Sequence, residues 1–462
     1  MTNRYTGQAS RRAFLQRAGA VSLAGTAAPW ALNLASLGEA AAASATDYKA
    51  LVCIFLYGGN DYGNTLVSAD SSSYTAYQAL RPSLAYARSA LDATVLKPAV
   101  PLPDGRQYAL APELAPLLPQ FDAGRLAVML NVGTLVQPTT KAQYLAKSVL
   151  LPPKLFSHND QQSVWQSSAP EGARTGWGGR LGDLFAAGNG TATFTCINVS
   201  GNAVYLSGNS AVPYQMTTSG SVALRALATP MFGSVSASAA LQALITQQRS
   251  HLLEAEYTQV TRRSIAANAA LATGLVPASA ITTAFPAGNS LGDQLKLVAR
   301  MIASAGTLGA KRQVFFVSLG GFDTHDGLLT DHPVLLTKLA DAMAAFHQAT
   351  VDLGVAPQVT AFTASDFGRT LSGNNDGSDH GWGSMHFMLG GAVRGQRFYG
   401  QAPAVASNGP DDVGQGRLLP TTSVDQYAAT LGAWFGASDS DLLTVLPNLR
   451  HHDAAVRNLG FV

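Results

Sequence analysis

LVCIFLYGGND, residues 51–61, is a greasy run that stops at two glycines and an acid. Its first seven residues are all apolar or aromatic, with β-branched Val52 and Ile54 among them. A continuous apolar run of this length, closed by turn residues, predicts a strand buried on both faces, as in the middle of a parallel sheet. Gly58 and Gly59 allow a sharp turn where a side chain would clash. Asn60 and Asp61 then fall just past the carboxyl end of the strand, where open α/β sheets place their chemistry. Two later stretches repeat the arrangement: VFFVSLGGFDTHD at 314–326 and VTAFTASDFGR at 359–369. Three buried strands, each ending in an acid, form the frame.

Amphipathic patterns at 291–308, with Ser290 as N-cap, and at 333–354 predict helices leading into the second and third of these strands. LAVMLNVG at 126–133 predicts another buried strand and TATFTCINV at 191–199 a further candidate. Pro112 can open a helix that Pro116 and Pro119 keep short or broken. GWGGR at 176–180 opens a helix, and TSVDQYAATLGAWFG at 422–436 reads as a capped helix packed on the sheet. Helix and strand alternating at this spacing predict an α/β fold with a mostly parallel central sheet and helices on both faces. From 221 to 274 the pattern turns helical, which reads as an inserted hairpin or cap spanning about residues 221–288. Residues 44–462 are therefore expected to form one α/β domain carrying this insertion.

The opening of the chain reads differently. Ser10-Arg11-Arg12-Ala13-Phe14-Leu15 sets two arginines before an Ala/Gly-rich, weakly apolar stretch, and the small residues at 40–45 offer A-x-A cleavage sites. Residues 1–43 resemble a twin-arginine export signal, so the expected address is periplasmic or extracellular, with the twin-arginine machinery as a partner. A membrane anchor is disfavoured by Pro29, Asn33 and the many Ala and Gly, and no permanent anchor is expected elsewhere. Without residues 1–43, which hold Arg4, Arg11, Arg12, Arg17 and Glu39, the formal charge falls from +2 to −1. The basic character belongs to the signal, and no nucleic-acid partner is implied. Charged residues make up only 13% of the chain, so disorder of the high-charge kind is not indicated. Cys53 and Cys196 lie inside apolar runs and are read as core residues rather than a disulfide.

Chemistry concentrates at the strand ends. Asp323-Thr324-His325 follows the Gly320-Gly321 turn, and a carboxylate and an imidazole one residue apart on a tight loop can converge on one ion, Zn²⁺ or Mn²⁺. The plainer alternative is an Asp capping the next turn beside a surface His. Asp366 ends the next strand, and Arg369 can hold an oxyanion bidentately or simply pair with Asp366. Asp379 and His380 stand together in a glycine-lined stretch, GSDHGWG at 377–383, a poor place to bury a histidine for packing. Ser157 precedes a helical stretch, so it is either a nucleophile favoured by the helix dipole or a plain N-cap. No G-x-S-x-G elbow, G-x-G-x-x-G fingerprint or P-loop stands at a strand-to-helix turn, which leaves serine-hydrolase, nicotinamide and nucleotide chemistry without support.

Taken together, GGND (58–61), SHNDQ (157–161), GWGGR (176–180), GGFDTH (320–325), SDFGRT (365–370), DHGWG (379–383) and VDQYAATLGAWFG (424–436) resemble a family of exported, twin-arginine-signal proteins of unknown function. That family is placed with the alkaline-phosphatase/sulfatase-like metalloenzymes. The resemblance spans nearly the whole mature chain. It implies one or two divalent cations, a first-strand ligand at Asp61, and a nucleophile at about Ser157. It further implies ligands at Asp323 and His325 for one metal, at Asp366 for the other, and at His380 late in the chain. The sequence departs from the superfamily pattern in two places. Asp323 and His325 are two residues apart rather than four, and Asp366 is followed by Phe367 where a histidine is usual, so one imidazole is missing, with Asp379 as a possible substitute. There is no C-x-P-x-R motif to generate formylglycine.

The expected function is an exported metal-dependent hydrolase of phosphate or related esters acting on a small anionic ester. The alternative is a catalytically degenerate relative that binds a cell-envelope ligand or partner.

Overall fold

The computed structural model describes residues 45–201 and 203–462. The expected signal at 1–43 lies outside them. Thirteen strands are named in chain order: β1 (Lys49–Tyr57), β2 (Leu66–Ser68), β3 (Tyr108–Leu110), β4 (Leu126–Gly133), β5 (Cys196–Asn198), β6 (Tyr214–Gln215) and β7 (Arg312–Gly320). The others are β8 (Val359–Ser365), β9 (Arg369–Gly373), β10 (Ser378–His380), β11 (Ser384–Gly390), β12 (Arg397–Tyr399) and β13 (Thr422–Ser423). The main sheet runs β12-β4-β11-β8-β1-β7-β5-β6, with β13 also on β4. β1 lies parallel between β7 and β8, while β11 runs antiparallel to both β8 and β4. The three acid-ended strands are thus neighbours, and their carboxyl ends share one edge of the sheet.

β1 is apolar throughout because both its faces are covered. Ala50, Val52, Ile54 and Leu56 join Leu295, Val298 and Met301 of helix α1 (Ser290–Ala303) and Leu336, Leu339 and Met343 of helix α2 (Leu328–Asp352) in one core. On the other face, the Phe55 ring meets Phe316 at 5.9 Å, and Phe362 of β8 meets Trp177 and Tyr427 at 5.6 and 5.7 Å. Trp177 opens helix α3 (Trp177–Phe185), and Tyr427 belongs to helix α4 (Val424–Phe435). Each such fully buried side chain contributes roughly 1.5–3 kcal/mol to folding. The fold is α/β with a mostly parallel sheet between helical layers.

Details differ from the pattern reading. The cap of α1 is Asn289, whose side chain accepts from the amides of Leu291 and Gly292, and Ser290 is the first helical residue. Ser378–His380 is not loop but a short strand paired antiparallel with β9, which brings His380 opposite Arg369. The segment at 221–288 holds helices Val235–Thr246 and Leu252–Gly274, of which Ala267 and Leu271 reach the core. Cys53 and Cys196 are free and buried. Among the described residues no helix is long and apolar enough to cross a membrane.

Candidate metal centre

The turn after β1 is glycine because the neighbouring strand ends leave no room. Gly58 has φ +116°, and a Cβ there would lie 2.3 Å from the Asp323 amide nitrogen; a Cβ on Gly59 would lie 2.5 Å from the Phe367 ring. The Gly58 peptide also serves as scaffold, its N–H donating to Asp366 Oδ2 (3.2 Å) and its carbonyl accepting from Arg369 Nη1 (3.1 Å). Backbone and acids from the three strand ends are tied into one unit.

Asp323 is the focus. One oxygen, Oδ1, lies 3.1 Å from His380 Nε2 and 3.3 Å from His325 Nε2, and accepts from Arg369 Nη1 at 2.8 Å. The other, Oδ2, lies 3.3 Å from His158 Nε2. Donor atoms of His158, Asp323 and His380 all fall within 4.8 Å of one another. His325 Nε2 is 2.8 Å from His380 Nε2.

The tautomers follow from what stands behind each ring. His158 Nδ1 faces Asp366 Oδ2 at 2.6 Å, His380 Nδ1 faces the Phe156 carbonyl at 2.8 Å, and His325 Nδ1 faces Asp379 Oδ1 at 3.2 Å. Carbonyl and carboxylate oxygens only accept, so each Nδ1 can donate to the oxygen behind it, and in that tautomer each Nε2 would turn its lone pair to the centre. Two bare lone pairs 2.8 Å apart repel unless a cation or a proton lies between them. His158 Nε2 is buried without a hydrogen-bond partner. Imidazole Nε2 atoms with acceptors behind them, gathered on a carboxylate, are the donor set that Zn²⁺ takes, and they suit Mn²⁺ less closely. The residues present fit a divalent cation.

Electrostatics differ between the rings. The hydrogen bond to Asp366 raises the His158 pKa above its ordinary value, whereas burial pushes that of His380 down. Burial alone would raise the Asp323 carboxyl, but the hydrogen bond and charge of Arg369, with His158 and His380, hold it below the usual carboxylate range.

Phe156 has φ +72° and Lys154 φ +39°, left-handed conformations that cost non-glycine residues about 1–3 kcal/mol each. This loop aims the Phe156 carbonyl at His380 and starts the helix His158–Ser167, whose first residue is the ligand candidate. Gln162, one turn on, also donates to Asp366 Oδ2, at 2.8 Å.

Of the residues singled out in the sequence, Asp323, His325 and His380 come together, and Asp379 stands behind His325. Asp366 meets the cluster only through His158: its Oδ2 takes His158, Gln162 and the Gly58 amide, while its Oδ1 is buried and unpartnered. Asp61 is elsewhere. It forms a buried bidentate pair with Arg81 (Nη1 to Oδ1 2.7 Å, and Nη2 to Oδ2), accepts from Ser378 Oγ at 2.6 Å, and caps the turn Tyr62–Asn64. Its oxygens are fully spent, so Asp61 is not placed to bind an ion. Arg369 is likewise enclosed: its donors go to the Gly58 and Ser378 carbonyls, Ser378 Oγ and Asp323, and it has no free edge for an oxyanion. Ser157 is the N-cap residue but makes no capping bond; its hydroxyl donates to Asp160 Oδ2 at 3.0 Å, beside the cluster. His158 is the candidate ligand that sequence reasoning missed. It brings an imidazole to Asp366 from a segment 208 residues away, next to Phe367, which stands where a histidine is usual, and no local pattern in the sequence announced it.

A family model described as "Protein of unknown function (DUF1501)" matches residues 48–446. No curated protein matches the chain. The solved structures that match include two distantly similar ones. Ps i-CgsB, solved in complex with k-i-k-neocarrahexaose, is 8% identical over 88% of this chain and 77% of that one, with a TM-score of 0.34. The lipoteichoic acid synthase LtaP from Listeria monocytogenes is 7% identical over 79% of this chain and 68% of that one, with a TM-score of 0.27. Likeness at this level says nothing about the chemistry of the site.

Proposed function

The chain belongs to the DUF1501 family of proteins of unknown function, and on that premise we propose that it is an exported, metal-dependent hydrolase of phosphate or related esters. The observation that carries this reading is the set of three imidazoles, each fixed at Nδ1 by an acceptor, with their Nε2 atoms gathered around Asp323. His158, Asp323 and His380 would hold the cation, with His325 completing the set. A bound divalent cation polarises an ester oxygen and lowers the pKa of an attacking hydroxyl or water.

The chain's own groups do the rest. Asp366, the Phe156 carbonyl and Asp379 keep the Nδ1 protons in place and the rings oriented. Arg369 holds Asp323 at 2.8 Å while keeping its charge out of solvent. Ser157 sits at a helix N-terminus, where unpaired amides favour developing negative charge. Asp160, which already accepts its hydroxyl, would take the proton as Ser157 bonds to phosphorus or sulfur and the ester alcohol leaves; water then breaks the Ser157 ester, releasing the anion and returning the proton to Ser157.

The test is hydrolysis of aryl phosphate and aryl sulfate by the purified chain supplied with Zn²⁺ or Mn²⁺. Turnover that needs metal and is lost in Ser157→Ala and His158→Ala is expected. A fully metal-loaded protein that hydrolyses neither would contradict the enzyme and leave the ligand-binding relative.

A further inference from the structure

A site built for an anionic ester needs a cation of its own that is free to touch the substrate, and most of those nearby are already committed. Arg369 and Arg81 are both fully buried and paired. Lys154 leans on Asp160 at 3.5 Å. Arg417 differs. Its Nε donates to the His380 carbonyl at 2.8 Å, and its guanidinium carbon lies 4.8 Å from the centroid of the Phe156 ring. Its Nη1 and Nη2 have no hydrogen-bond or ion-pair partner among the described residues. Both groups that hold Arg417 also build the metal centre: His380 offers Nε2 to it, and the Phe156 carbonyl fixes the His380 ring. A guanidinium is therefore fixed against one ligand's own peptide with its two terminal nitrogens unspent.

The loop that carries Arg417 is rigid for identifiable reasons. Buried Asp412 accepts from the amides of Asn408 (2.7 Å), Gly414 (2.6 Å) and Gly416 (2.9 Å). Gly416 has φ +76°, and a Cβ there would meet Leu371 at 2.9 Å. On either side of Arg417, the Gly416 carbonyl accepts from Leu371 N of β9 and the Leu418 carbonyl accepts from Gly383 N, beyond β10. An arginine already held in this way loses little further freedom on gripping a ligand. Its planar fork matches two oxygens of a tetrahedral anion, which a lysine cannot do. The carboxylates of Asp323, Asp366 and Asp379 would otherwise repel an anionic ester.

We propose that Arg417 is the anion-recognising residue of this site. The ester it takes then carries a terminal tetrahedral oxyanion, a phosphate or sulfate monoester, with two of its free oxygens gripped by the Arg417 guanidinium. This rests on the hydrolase reading, but its test does not depend on turnover.

The experiment is calorimetric titration of the Zn²⁺-loaded full chain with inorganic phosphate and with inorganic sulfate, wild type beside Arg417→Gln and Arg417→Lys. Metal content and thermal midpoint are recorded for each protein. Phosphate or sulfate should bind wild type, whichever is tighter naming the ester class, and Arg417→Gln should weaken it about 10- to 100-fold, the size of one charge-assisted bidentate contact. Metal content should be unchanged, and Arg417→Lys should recover part of the loss. If the wild type turns over aryl esters, KM should rise for phosphate or sulfate but not for a neutral aryl acetate. Equal binding by wild type and Arg417→Gln, or no binding of either anion to metal-loaded wild type, overturns the assignment. So does a loss of affinity that tracks a loss of metal, which would make Arg417 a support for His380 only. A metal-loaded wild type that binds the anion through Arg417 yet hydrolyses no ester would count against the hydrolase reading alone.

Discussion

Asp61 and Asp323 begin from almost the same sequence, GGND and GGFD, at the ends of adjacent parallel strands, yet the fold uses them in opposite ways. Asp61 is sealed. Its side chain is 1% exposed and paired with an Arg81 that is fully buried; desolvation is the largest single influence and would raise the carboxyl, but the charge and hydrogen bonds of Arg81, with His332 and Ser378, together hold it well below its ordinary pKa. Asp323 is open, with 45% of its side chain exposed and imidazole nitrogens arranged around it. An acid at a strand end becomes a site only when its oxygens are left unspent. What decides is the partner that folds back on it: an arginine from the helix region at 71–81 in one case, histidines from three separate segments in the other.

That contrast can be broken most forcefully at the sealed acid. Asp61→Ala leaves the Arg81 charge buried alone and should cost about 3–5 kcal/mol, read as a fall in urea midpoint. Asp61→Ala with Arg81→Met should recover most of it, because the unpaired charge is then gone. A small loss in the single variant would mean that water reaches Arg81 and that the pair is not sealed.

Next comes pH, which separates buried from open groups. Burial depresses the pKa of His332, His347 and His452 to about 4 and of His386 to about 3, against 6.5 unfolded. The folded protein therefore binds fewer protons than the unfolded chain below pH 6.5. Its stability should be full above that value and fall progressively as pH drops toward 4. Asp425 acts in the opposite sense. Burial raises its pKa to about 6, so its carboxylate costs stability above pH 6 and that cost is relieved on acidification. Denaturant midpoints from pH 8 to 4 should fall with acid, and Asp425→Asn should raise the midpoint at pH 7 but not at pH 4.

The smallest stability effect belongs to the open acid. Asp323→Asn keeps an oxygen for Arg369, whose buried charge still rests on the Gly58 and Ser378 carbonyls, so unfolding of the metal-free protein should shift by about 1–2 kcal/mol at most, less than for Asp61→Ala. A larger shift would place Asp323 with the structural acids rather than with the site.

The frame was legible because it rests on the strongest local signal, uninterrupted apolar runs closed by glycine. β1, β7 and β8 lie where those runs lie, and Gly58 and Gly59 turn with positive φ as the pattern required. Half of the centre was legible too, since D-x-H at 323–325 and D-H at 379–380 are local motifs. The rest depends on contacts between distant segments. Nothing local in 157–161 says that His158 turns toward Asp366, 208 residues away, while Ser157 turns to Asp160. Nor does the sequence say that Asp61 faces Arg81, or that Arg369 is spent on carbonyl oxygens. Arg417 had no motif around it at all. Its place comes from an Asp412-tied loop, and only the folded chain brings that loop to His380.

The most direct test is the metal content of the purified full chain, wild type beside His158→Ala, Asp323→Ala and Asp61→Asn, each after incubation with Zn²⁺ or Mn²⁺ and desalting. Stoichiometric metal is predicted in wild type and in folded Asp61→Asn, and loss in His158→Ala and Asp323→Ala. Folded wild type that retains no metal, or metal that survives His158→Ala and Asp323→Ala but not Asp61→Asn, would contradict the assignment of the centre to the open acid.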